Sequence, residues 1–387
     1  MQNNMSTLSP LKVLVTGTRG IPNIMGGVET HCEELFPRIA AKGFDVTVVR
    51  RKAYVGSEER REERGEWKGV KLVDIPSPKK KALEAAIHTF RAVNYAKRMG
   101  ADIVHIHAIG PALLTPYAKL LGMKVVFTHH GADYERQKWG KVAKFALRLG
   151  ERLACKWADE VIVISEVIRQ SIARKYGRME HVHLIYNGVP APQRCDYDDY
   201  FHELGIGKDK YILAACRFVP EKRLEDIVLA CQGMDMKGCK LVLAGDADFE
   251  SDYSRSLKAQ ARQAGVVLTG FVKDRKLHAL MTHCRAFVLS SSHEGLPIAL
   301  LEAMSYSLRV VVSDIPANLE VGLTPDVYYP TGHIPSLRSC LQKVVDEPLS
   351  HPAYDLSKYD WDTIAEQVER VYLGVEEREE RREENLA

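Results

Sequence analysis

Short apolar runs alternate with segments of helix length along nearly the whole chain. The runs of the first half are LKVLVTG, FDVTVV, VKLVDI, ADIVHIH, MKVVFTH, EVIVIS and HVHLIY, and those of the second half are YILAAC, CKLVLAG, GVVLTGF, AFVLSS and RVVVSD. Helical patterns lie between them, at 28–41, 82–98, 138–157 and 224–233. Continuous apolar strands that alternate with helices are typical of parallel sheets covered on both faces. The pattern therefore predicts an α/β fold.

The same pattern stops and restarts once, at a segment rich in glycine, proline and aspartate over 187–199. We place a domain boundary there. This predicts an N-terminal Rossmann-like domain over 1–190 and a second one over 191–355, both doubly wound and facing a cleft. The last segment, 356–387, ends in the charged run EEREERREEN at helical spacing, for which a solvated helix end is the simplest interpretation.

Composition limits the class of protein. The chain has 387 residues, of which 45% are hydrophobic and 27% charged, and this is ordinary for a globular protein. No apolar run approaches the roughly 18 residues of a membrane span, and the first residues, MQNNMSTLSP, do not resemble a signal peptide. Eight scattered cysteines without a CxxC pair indicate reduced thiols rather than zinc ligands. We expect a cytoplasmic protein.

Charge is distributed unevenly between the halves. Residues 1–190 carry 31 Lys and Arg against 19 Asp and Glu, whereas the remainder carries 23 against 32. The basic half is expected to meet an anionic partner. Nucleic acid is not favoured, because no recognised binding motif accompanies the charge.

A glycine-rich loop, GTRGIPNIMGG, follows the first predicted strand. Gly17 and Gly20 fit a nucleotide-binding spacing, and Arg50 with Arg51 would suit an NADP 2′-phosphate. However, Asn23 stands where a third glycine is expected, and a lone glycine fingerprint is weak evidence. The loop alone therefore does not decide the function. An NADP-dependent epimerase or reductase stays open, and so does a non-catalytic module that binds a sugar nucleotide.

Three features of the second half carry more information. Arg217 and Lys222 follow the strand YILAAC, at the strand end where doubly wound sheets bind ligands, and suit a phosphate. In SSSHEGLPIALLEAM, Glu294 lies in a loop before a helix start, and Glu302 stands eight residues later on the same helix face. Backbone amides at that helix start could hold oxygens of the ligand. A Gly-Phe-Val turn after GVVLT, which includes Val272, suits a base pocket.

Together these residues resemble the signature of glycosyltransferase family 4, whose retaining members have the two-Rossmann GT-B architecture. Glu294 and Glu302 match its E-x7-E motif, and Arg217 and Lys222 match its Arg…Lys pair. The opening GTRGIPNIMGGVET and the stretch THHGADYERQKWG are similar to a bacterial, rhamnosyltransferase-like branch. The resemblance covers almost the entire chain and implies a final helix that crosses back to the first domain.

The resemblance also implies site residues. Those on the donor side are Gly17, Gly26, Gly27, Arg217, Lys222, Val272, Glu294, Gly295, Leu296, Pro297, Ile298 and Glu302. His130 matches the family's active-site histidine, and with Arg217, Lys222 and Glu294 it is expected to be catalytic, although a one-residue shift would exchange it with His129. On the acceptor side we expect Arg19, Glu29, His107, His129 and Asp133. Retention of anomeric configuration is likewise implied only by the resemblance.

The implied partners are a UDP-, dTDP- or GDP-sugar donor, which is a substrate and not a cofactor, and a glycan or polyprenyl-diphosphate-linked acceptor. We predict no metal and read the D-x-D at Asp246 as a loop carboxylate pair. Basic residues of the helical pattern at 138–157 flank an apolar stripe, namely Val142, Phe145, Leu149 and Leu153. A solvated face is the common interpretation of such a helix, and contact with an anionic membrane surface is the alternative.

Overall fold

The computed structural model describes residues 10–24, 26–55, 65–77, 81–135, 139–247 and 250–384. The chain divides into two compact units. Unit 1 comprises Met1–Gly188 and Trp361–Ala387, and unit 2 comprises Val189–Asp360. The boundary between residues 188 and 189 lies two residues from the predicted one.

Unit 1 is built on one twisted sheet. Its strands in the described part of the chain are β1 Lys12–Thr16, β2 Asp45–Arg51, β3 Glu66–Trp67, β4 Val70–Ile75, β5 Ile103–His107, β6 Lys124–His129, β7 Glu160–Val163 and β8 Val182–Leu184. They lie in the order β3-β4-β2-β1-β5-β6-β7-β8 and pair in parallel, except β3 with β4. All seven predicted runs of this half form strands. The chain reverses its direction of travel across the sheet between β1 and β5, which makes their carboxyl ends a topological switch point.

The edge strand β3 is absent from the sequence prediction. It forms an antiparallel hairpin with β4 through Lys68 and Gly69, whose φ angles are 45° and 80°. Two consecutive residues with positive φ are typical of the type I′ turn, which matches the twist of a hairpin. Two residues are too few to produce a periodic signal, although the Lys-Gly pair was readable as a turn.

In the described part of unit 1, the helices between these strands are α1 Gly27–Ala41, α2 Lys81–Met99, α3 Thr115–Leu120, α4 Lys141–Trp157 and α5 Glu166–Tyr176. The helix predicted from residue 138 begins at Lys141, after Gly140 in extended conformation. Helix α5 shows how local sequence sets helix ends. The Ser165 side chain accepts a hydrogen bond from the Ile168 amide, and Gly177 ends the helix at φ 64°.

Unit 2 has a second parallel sheet. Its strands are β9 Tyr211–Ala215, β10 Lys240–Ala244, β11 Val267–Gly270, β12 Ala286–Leu289, β13 Val310–Ser313 and β14 Tyr328–Tyr329, in the order β11-β10-β9-β12-β13-β14. Its helices are α6 Asp198–Leu204, α7 Leu224–Gln232, α8 Asp252–Gln263, α9 Asp274–His283, α10 Ile298–Ser305, α11 Pro316–Leu319 and α12 Ile334–Asp346. The five predicted strands form, and β14 adds a short edge. The switch point lies between β9 and β12.

The last helix, α13 at Trp361–Glu384, belongs to unit 1. Its buried residues recur at helical spacing and join the core of that unit: Trp361, Ile364, Ala365, Val368, Val371, Tyr372 and Val375. Lys124 Nζ lies 2.7 Å from Glu376 Oε1 and Lys42 Nζ lies 2.8 Å from Glu369 Oε2, so ion pairs flank this apolar contact. Within the described residues, no helix combines the length and the apolar character that crossing a membrane requires.

Candidate active site

The glycine loop packs tightly against the end of strand β5. Gly17 has φ +100°, and a Cβ atom added there would lie 2.1 Å from the carbonyl oxygen of His107. A side chain at this position would displace the backbone at the switch point of unit 1. The glycine expected to approach a donor thus also has a packing reason to be glycine.

Glu29 organises the loop from the first turn of α1. Its Oε1 accepts hydrogen bonds from the Arg19 amide at 2.9 Å and from Thr18 Oγ1 at 3.3 Å, and the side chain is buried. A Cβ added at Gly26 would lie 2.0 Å from Glu29 Oε2. Glu29, expected on the acceptor side, therefore uses its carboxylate to hold the loop that includes Arg19. The Arg19 guanidinium itself lies 5.1 Å from the centre of the Tyr54 ring.

The two arginines of the NADP alternative are paired inside unit 1. Arg50 is 3% exposed, and its Nε lies 2.6 Å from Asp74 Oδ1. Arg51 Nη1 lies 3.8 Å from Glu84 Oε1. Both guanidinium groups therefore already face carboxylates, which removes the main observation in favour of a 2′-phosphate site.

Three histidines meet below the glycine loop. His31 of α1, His107 at the end of β5 and His130 after β6 form the histidine cluster, in which one ring nitrogen of each lies within 4.8 Å of the others. His107 Nδ1 lies 2.9 Å from His130 Nε2, and His31 Nδ1 lies 2.8 Å from Asn187 Oδ1. Burial lowers the pKa of His31 to about 4 and the pKa of His107 and His130 well below the usual range. The cluster is therefore neutral.

His105 supports the cluster from underneath. Its ring stacks on His107 with centres 4.2 Å apart, and its nitrogens lie 2.6 Å from Tyr372 Oη and 2.6 Å from Thr128 Oγ1. Burial lowers its pKa to about 3. Both His105 and His107 are fully buried, so His107, which was expected on the acceptor side, does not present its side chain to solvent.

His129 and His130 have different surroundings. His129 is buried, its Nε2 lies 2.8 Å from Glu151 Oε1, and its Nδ1 accepts a hydrogen bond from the Gly131 amide at 3.1 Å. Both of its ring nitrogens thus have hydrogen-bond partners within the protein, which leaves neither nitrogen for an acceptor substrate. His130 is only half-buried and joins the histidine cluster. The geometry therefore favours His130 over His129 as the histidine that can meet a substrate.

Glu151 is the centre of the network around His129. Tyr134 Oη and Tyr176 Oη donate to its carboxylate, at 3.1 and 2.6 Å from Oε2. Burial acts to raise the pKa of Glu151, but the contacts with His129 and Tyr176 and the charge of Lys175 lower it below its usual value. The network ties α4 and α5 to the loop after β6. Asp133, also expected on the acceptor side, lies half-buried in this loop.

In unit 2 the cationic and acidic motifs meet at the switch point. Lys222, in the turn after β9, forms an ion pair with Glu294 Oε1, in the loop after β12. Ser291 Oγ donates to the same carboxylate oxygen at 2.6 Å. Arg217 lies two residues after the end of β9 and is half-buried. Adjacent parallel strands place these residues at one sheet edge, although they are more than 70 positions apart in the sequence.

Serine side chains join the two loops. Ser290 Oγ donates to the Lys222 carbonyl at 2.6 Å, and the Ser292 amide donates to the Glu221 carbonyl at 2.8 Å. The three serines before the E-x7-E motif therefore position Lys222 and Glu294. The sequence does not single out these serines, because their role depends on the pairing of β9 with β12.

Glu302 lies in the second turn of α10, and its pKa is raised by burial to about 7. Among the described residues, none forms a hydrogen bond or ion pair with its carboxylate. Helix α10 begins at Ile298, with Pro297 as N-cap, and the Ile298 amide donates to the Leu296 carbonyl at 3.0 Å. Leu296 and Pro297 are buried, whereas Gly295 is half-buried.

Two further predicted features lie on the other side of β9. Val272 is half-buried after β11, in the turn that follows Gly270 at φ +67°. Asp246 forms an ion pair with Lys258 at 2.6 Å, and its D-x-D partner, Asp248, lies outside the described residues. The described half of this motif is thus paired with a lysine.

Family models match both units. The Glycosyltransferase Family 4 model matches residues 25–191, and the Glycosyl transferases group 1 model matches residues 196–322. The uncharacterized glycosyltransferase YqgM of Bacillus subtilis is 28% identical over 216 residues, which are 55% of this chain and 58% of that protein. Alpha-maltose-1-phosphate synthase of Mycolicibacterium smegmatis is 25% identical over 409 residues, covering 92% of this chain and 97% of that protein.

Among solved structures, Anabaena Alr3699/HepE in complex with UDP and glucose superposes with a TM-score of 0.75 at 19% identity, covering 94% of this chain and 100% of that chain. This likeness confirms the predicted fold of two parallel-sheet domains. With family models over both halves, the chain belongs to the family 4 type of glycosyltransferases and has the GT-B fold.

Proposed function

We propose that this glycosyltransferase transfers a sugar, with retention, from a nucleotide-diphosphate donor to a glycan or lipid-linked acceptor in bacterial surface polysaccharide synthesis. The observation that carries the proposal is the switch point of unit 2. There a lysine, a carboxylate and an arginine follow two neighbouring strands, and Lys222 pairs with Glu294. Glu302 is half-buried, and its carboxylate has no partner among the described residues. Ligands of doubly wound sheets bind at such points.

The proposed donor roles follow from chemistry. Arg217 and Lys222 would balance the charge that develops on the departing diphosphate, as fixed cations do without reorganising in the transition state. Glu302 would accept hydrogen bonds from the ribose hydroxyls, and this would give its half-buried carboxylate a partner. Glu294 would bind hydroxyls of the donor sugar. Gly295, Leu296, Pro297, Ile298 and Val272 would line the nucleotide, and no metal is needed where two cations serve the diphosphate.

UDP is our first choice of nucleotide. The structure of Anabaena HepE contains UDP and glucose, and a uridine donor offers both ribose hydroxyls to Glu302. A thymidine donor, suggested by the rhamnosyltransferase-like opening of the chain, lacks the 2′-hydroxyl and would leave Glu302 only one. A GDP-sugar stays a third option.

In unit 1 we propose that His130 meets the transferred sugar or the acceptor. It is neutral and half-buried, so it can donate or accept one hydrogen bond without bringing a charge. Arg19, in the loop that Glu29 holds, and Asp133 are the other acceptor-side candidates. We propose a cytoplasmic enzyme that works at the inner membrane face on a polyprenyl-diphosphate-linked acceptor, because helix α4 exposes apolar side chains between cations.

The test is thermal stabilisation of the full chain by UDP, dTDP, GDP, ADP and NADP. A ligand present at about 100 times its Kd adds roughly 2.7 kcal/mol to stability. We expect one nucleoside diphosphate to stabilise the protein. Arg217→Ala should weaken its binding by about 10- to 100-fold, since a hydrogen bond to a charged group contributes roughly 1.5–3 kcal/mol. Arg262→Ala, at an exposed arginine of α8, is the matched control. Stabilisation by NADP alone would refute the proposal.

A further inference from the structure

We propose that the histidine cluster is a binding site for one divalent transition-metal ion of the Zn²⁺ class. The inference goes beyond the proposed function, because the transfer itself is proposed to need no metal. It also qualifies the expectation of no metal, for which the sequence analysis weighed the D-x-D stretch at Asp246. No sequence motif connects His31 with His107 and His130.

The first argument is convergence. The three imidazoles come from a helix, a strand end and a loop, and one nitrogen of each lies within 4.8 Å of the others. The ring centre of His31 lies 4.9 Å from that of His130 and 5.5 Å from that of His107. His31 and His107 are buried, and their backbone positions are held by α1 and β5. Small rotations of the rings would bring three nitrogens to one ion.

The second argument is unsatisfied hydrogen bonding. Asn187 Oδ1 can only accept, so His31 Nδ1 carries the proton and Nε2 presents a lone pair. Among the described atoms, His31 Nε2 is buried and has no hydrogen-bond partner. Buried nitrogens without partners are rare in native proteins. A metal ion would use the lone pair of His31, and the bond to Asn187 would orient the ring as oxygen acceptors orient metal-bound histidines.

The donor set selects the class of ion. All three ligand groups are imidazoles, and the cluster includes neither a carboxylate nor a thiolate within the described residues. Imidazole suits Zn²⁺, Co²⁺, Ni²⁺ and Cu²⁺, whereas Mg²⁺ and Ca²⁺ prefer oxygen ligands. Three histidines leave a fourth tetrahedral position for water. His130 is the half-buried member, so we expect that position on its side of the cluster.

Occupation would have a consequence for the enzyme. The ion would replace the 2.9 Å contact between His107 Nδ1 and His130 Nε2 and would engage a lone pair of His130. This step alone rests on the proposed role of His130. If His130 has that role, added Zn²⁺ inhibits sugar transfer. A chelator then returns the activity to that of the metal-free protein and does not lower it further.

The direct test is titration of the metal-free full chain with Co²⁺, read by visible absorption, and with Zn²⁺, read by calorimetry. We expect one equivalent to bind and to give the spectrum of a tetrahedral or five-coordinate nitrogen site. His31→Ala and His130→Ala should each weaken binding at least tenfold. His351→Ala, at an exposed histidine of unit 2, should bind like the parent. Thermal melting checks that each variant is folded.

Absence of saturable binding by the folded parent would overturn the inference, as would equal affinity in the parent and both cluster variants. The outcome is independent of the donor test, because nucleotide stabilisation tests the donor site of unit 2. A protein that binds UDP but no Co²⁺ refutes the metal site alone. A protein that binds Co²⁺ through these histidines but no nucleotide refutes the proposed donor site alone.

Discussion

Individual side chains in this protein have pKa values set mainly by burial. Glu302 is raised to about 7, whereas His31 is lowered to about 4 and His105 to about 3. Each of these groups is kept neutral near pH 6, because the charged form would lose its hydration without gaining a partner. The two residue types therefore act on stability in opposite directions. At low pH the buried histidines take up protons when the protein unfolds, so stability falls as the pH is lowered. Glu302 holds its proton more tightly in the folded state, so its contribution to stability falls as the pH is raised.

The Glu302 contribution can be isolated with Glu302→Gln. Its folded pKa, about 7, lies above the usual 4.5, so the folded state binds more protons between these values and stability falls as pH rises through the window. Relative to the parent, Glu302→Gln should gain up to about 3 kcal/mol between pH 4.5 and pH 8. Urea unfolding at several pH values measures this difference. Exposed Glu203→Gln is the control, and an equal, pH-independent effect of both variants would contradict the prediction.

At the scale of elements, helix α4 has large apolar side chains that the packing of the fold leaves exposed. The described structure packs one side of it, including Gly150 and Ala154, and exposes Val142 by 84% and Phe145 by 67%. Exposed cations stand on the same outer side, among them Lys141, Arg148, Arg152 and Lys156. An apolar stripe with flanking cations is typical of a helix that lies on an anionic membrane.

We predict that the protein binds vesicles containing anionic phosphatidylglycerol and that the double variant Val142→Glu/Phe145→Glu weakens this binding more than tenfold. Burial of one such apolar side chain contributes roughly 1.5–3 kcal/mol, and each cation near the surface about 1 kcal/mol. Co-sedimentation measures the binding. Leu319→Glu, at a 48% exposed position of α11 in unit 2, is the matched control. If both variants bind as the parent does, or the parent ignores the vesicles, the assignment of α4 is wrong.

At the scale of the whole molecule, the chain returns to its first unit at the end. Unit 1 has a core to which α13 contributes seven buried residues, and unit 2 has a separate core between its sheet and helices. Tyr372 of α13 also bonds to His105 below the histidine cluster. The C-terminal helix is therefore part of the structure that holds His107 and His130.

A chain ending at residue 360 should lose the fold of unit 1 while unit 2 stays folded. Removal of α13 opens the core around Trp361 and Tyr372, and a single large core side chain removed already costs about 3–5 kcal/mol. Hydrogen exchange followed by mass spectrometry should show fast exchange over 10–188 and protection over 189–360. A chain ending at Arg378 keeps the seven residues of α13 that join the core and serves as control. Equal protection of unit 1 in both truncations would refute this.

The sequence predicted all twelve of the longer strands, because continuous apolar runs can be read without any knowledge of their neighbours. It missed β3 and β14, which have two residues each and exist only because a neighbouring strand offers hydrogen bonds. Arg217, Lys222, Glu294 and Glu302 were readable because their spacing lies within two short motifs. The sequence placed Glu29 on the acceptor side, because the loop groups that donate to its carboxylate, the Arg19 amide and Thr18 Oγ1, are brought to it only in the folded chain.

By itself, the sequence determined the α/β class, the division into two parallel-sheet domains and the motifs that identify the family, because periodicity and motif spacing are local properties. Only the tertiary structure decided which groups meet. His31 and Asn187 are 156 positions apart, and His105 and Tyr372 are 267 apart. It also decided that both ring nitrogens of His129 are hydrogen-bonded within the protein and that His130 is partly exposed. Burial and hydrogen-bond partners depend on the strands and helices that surround a side chain. Adjacent residues can therefore differ in role where no local pattern separates them.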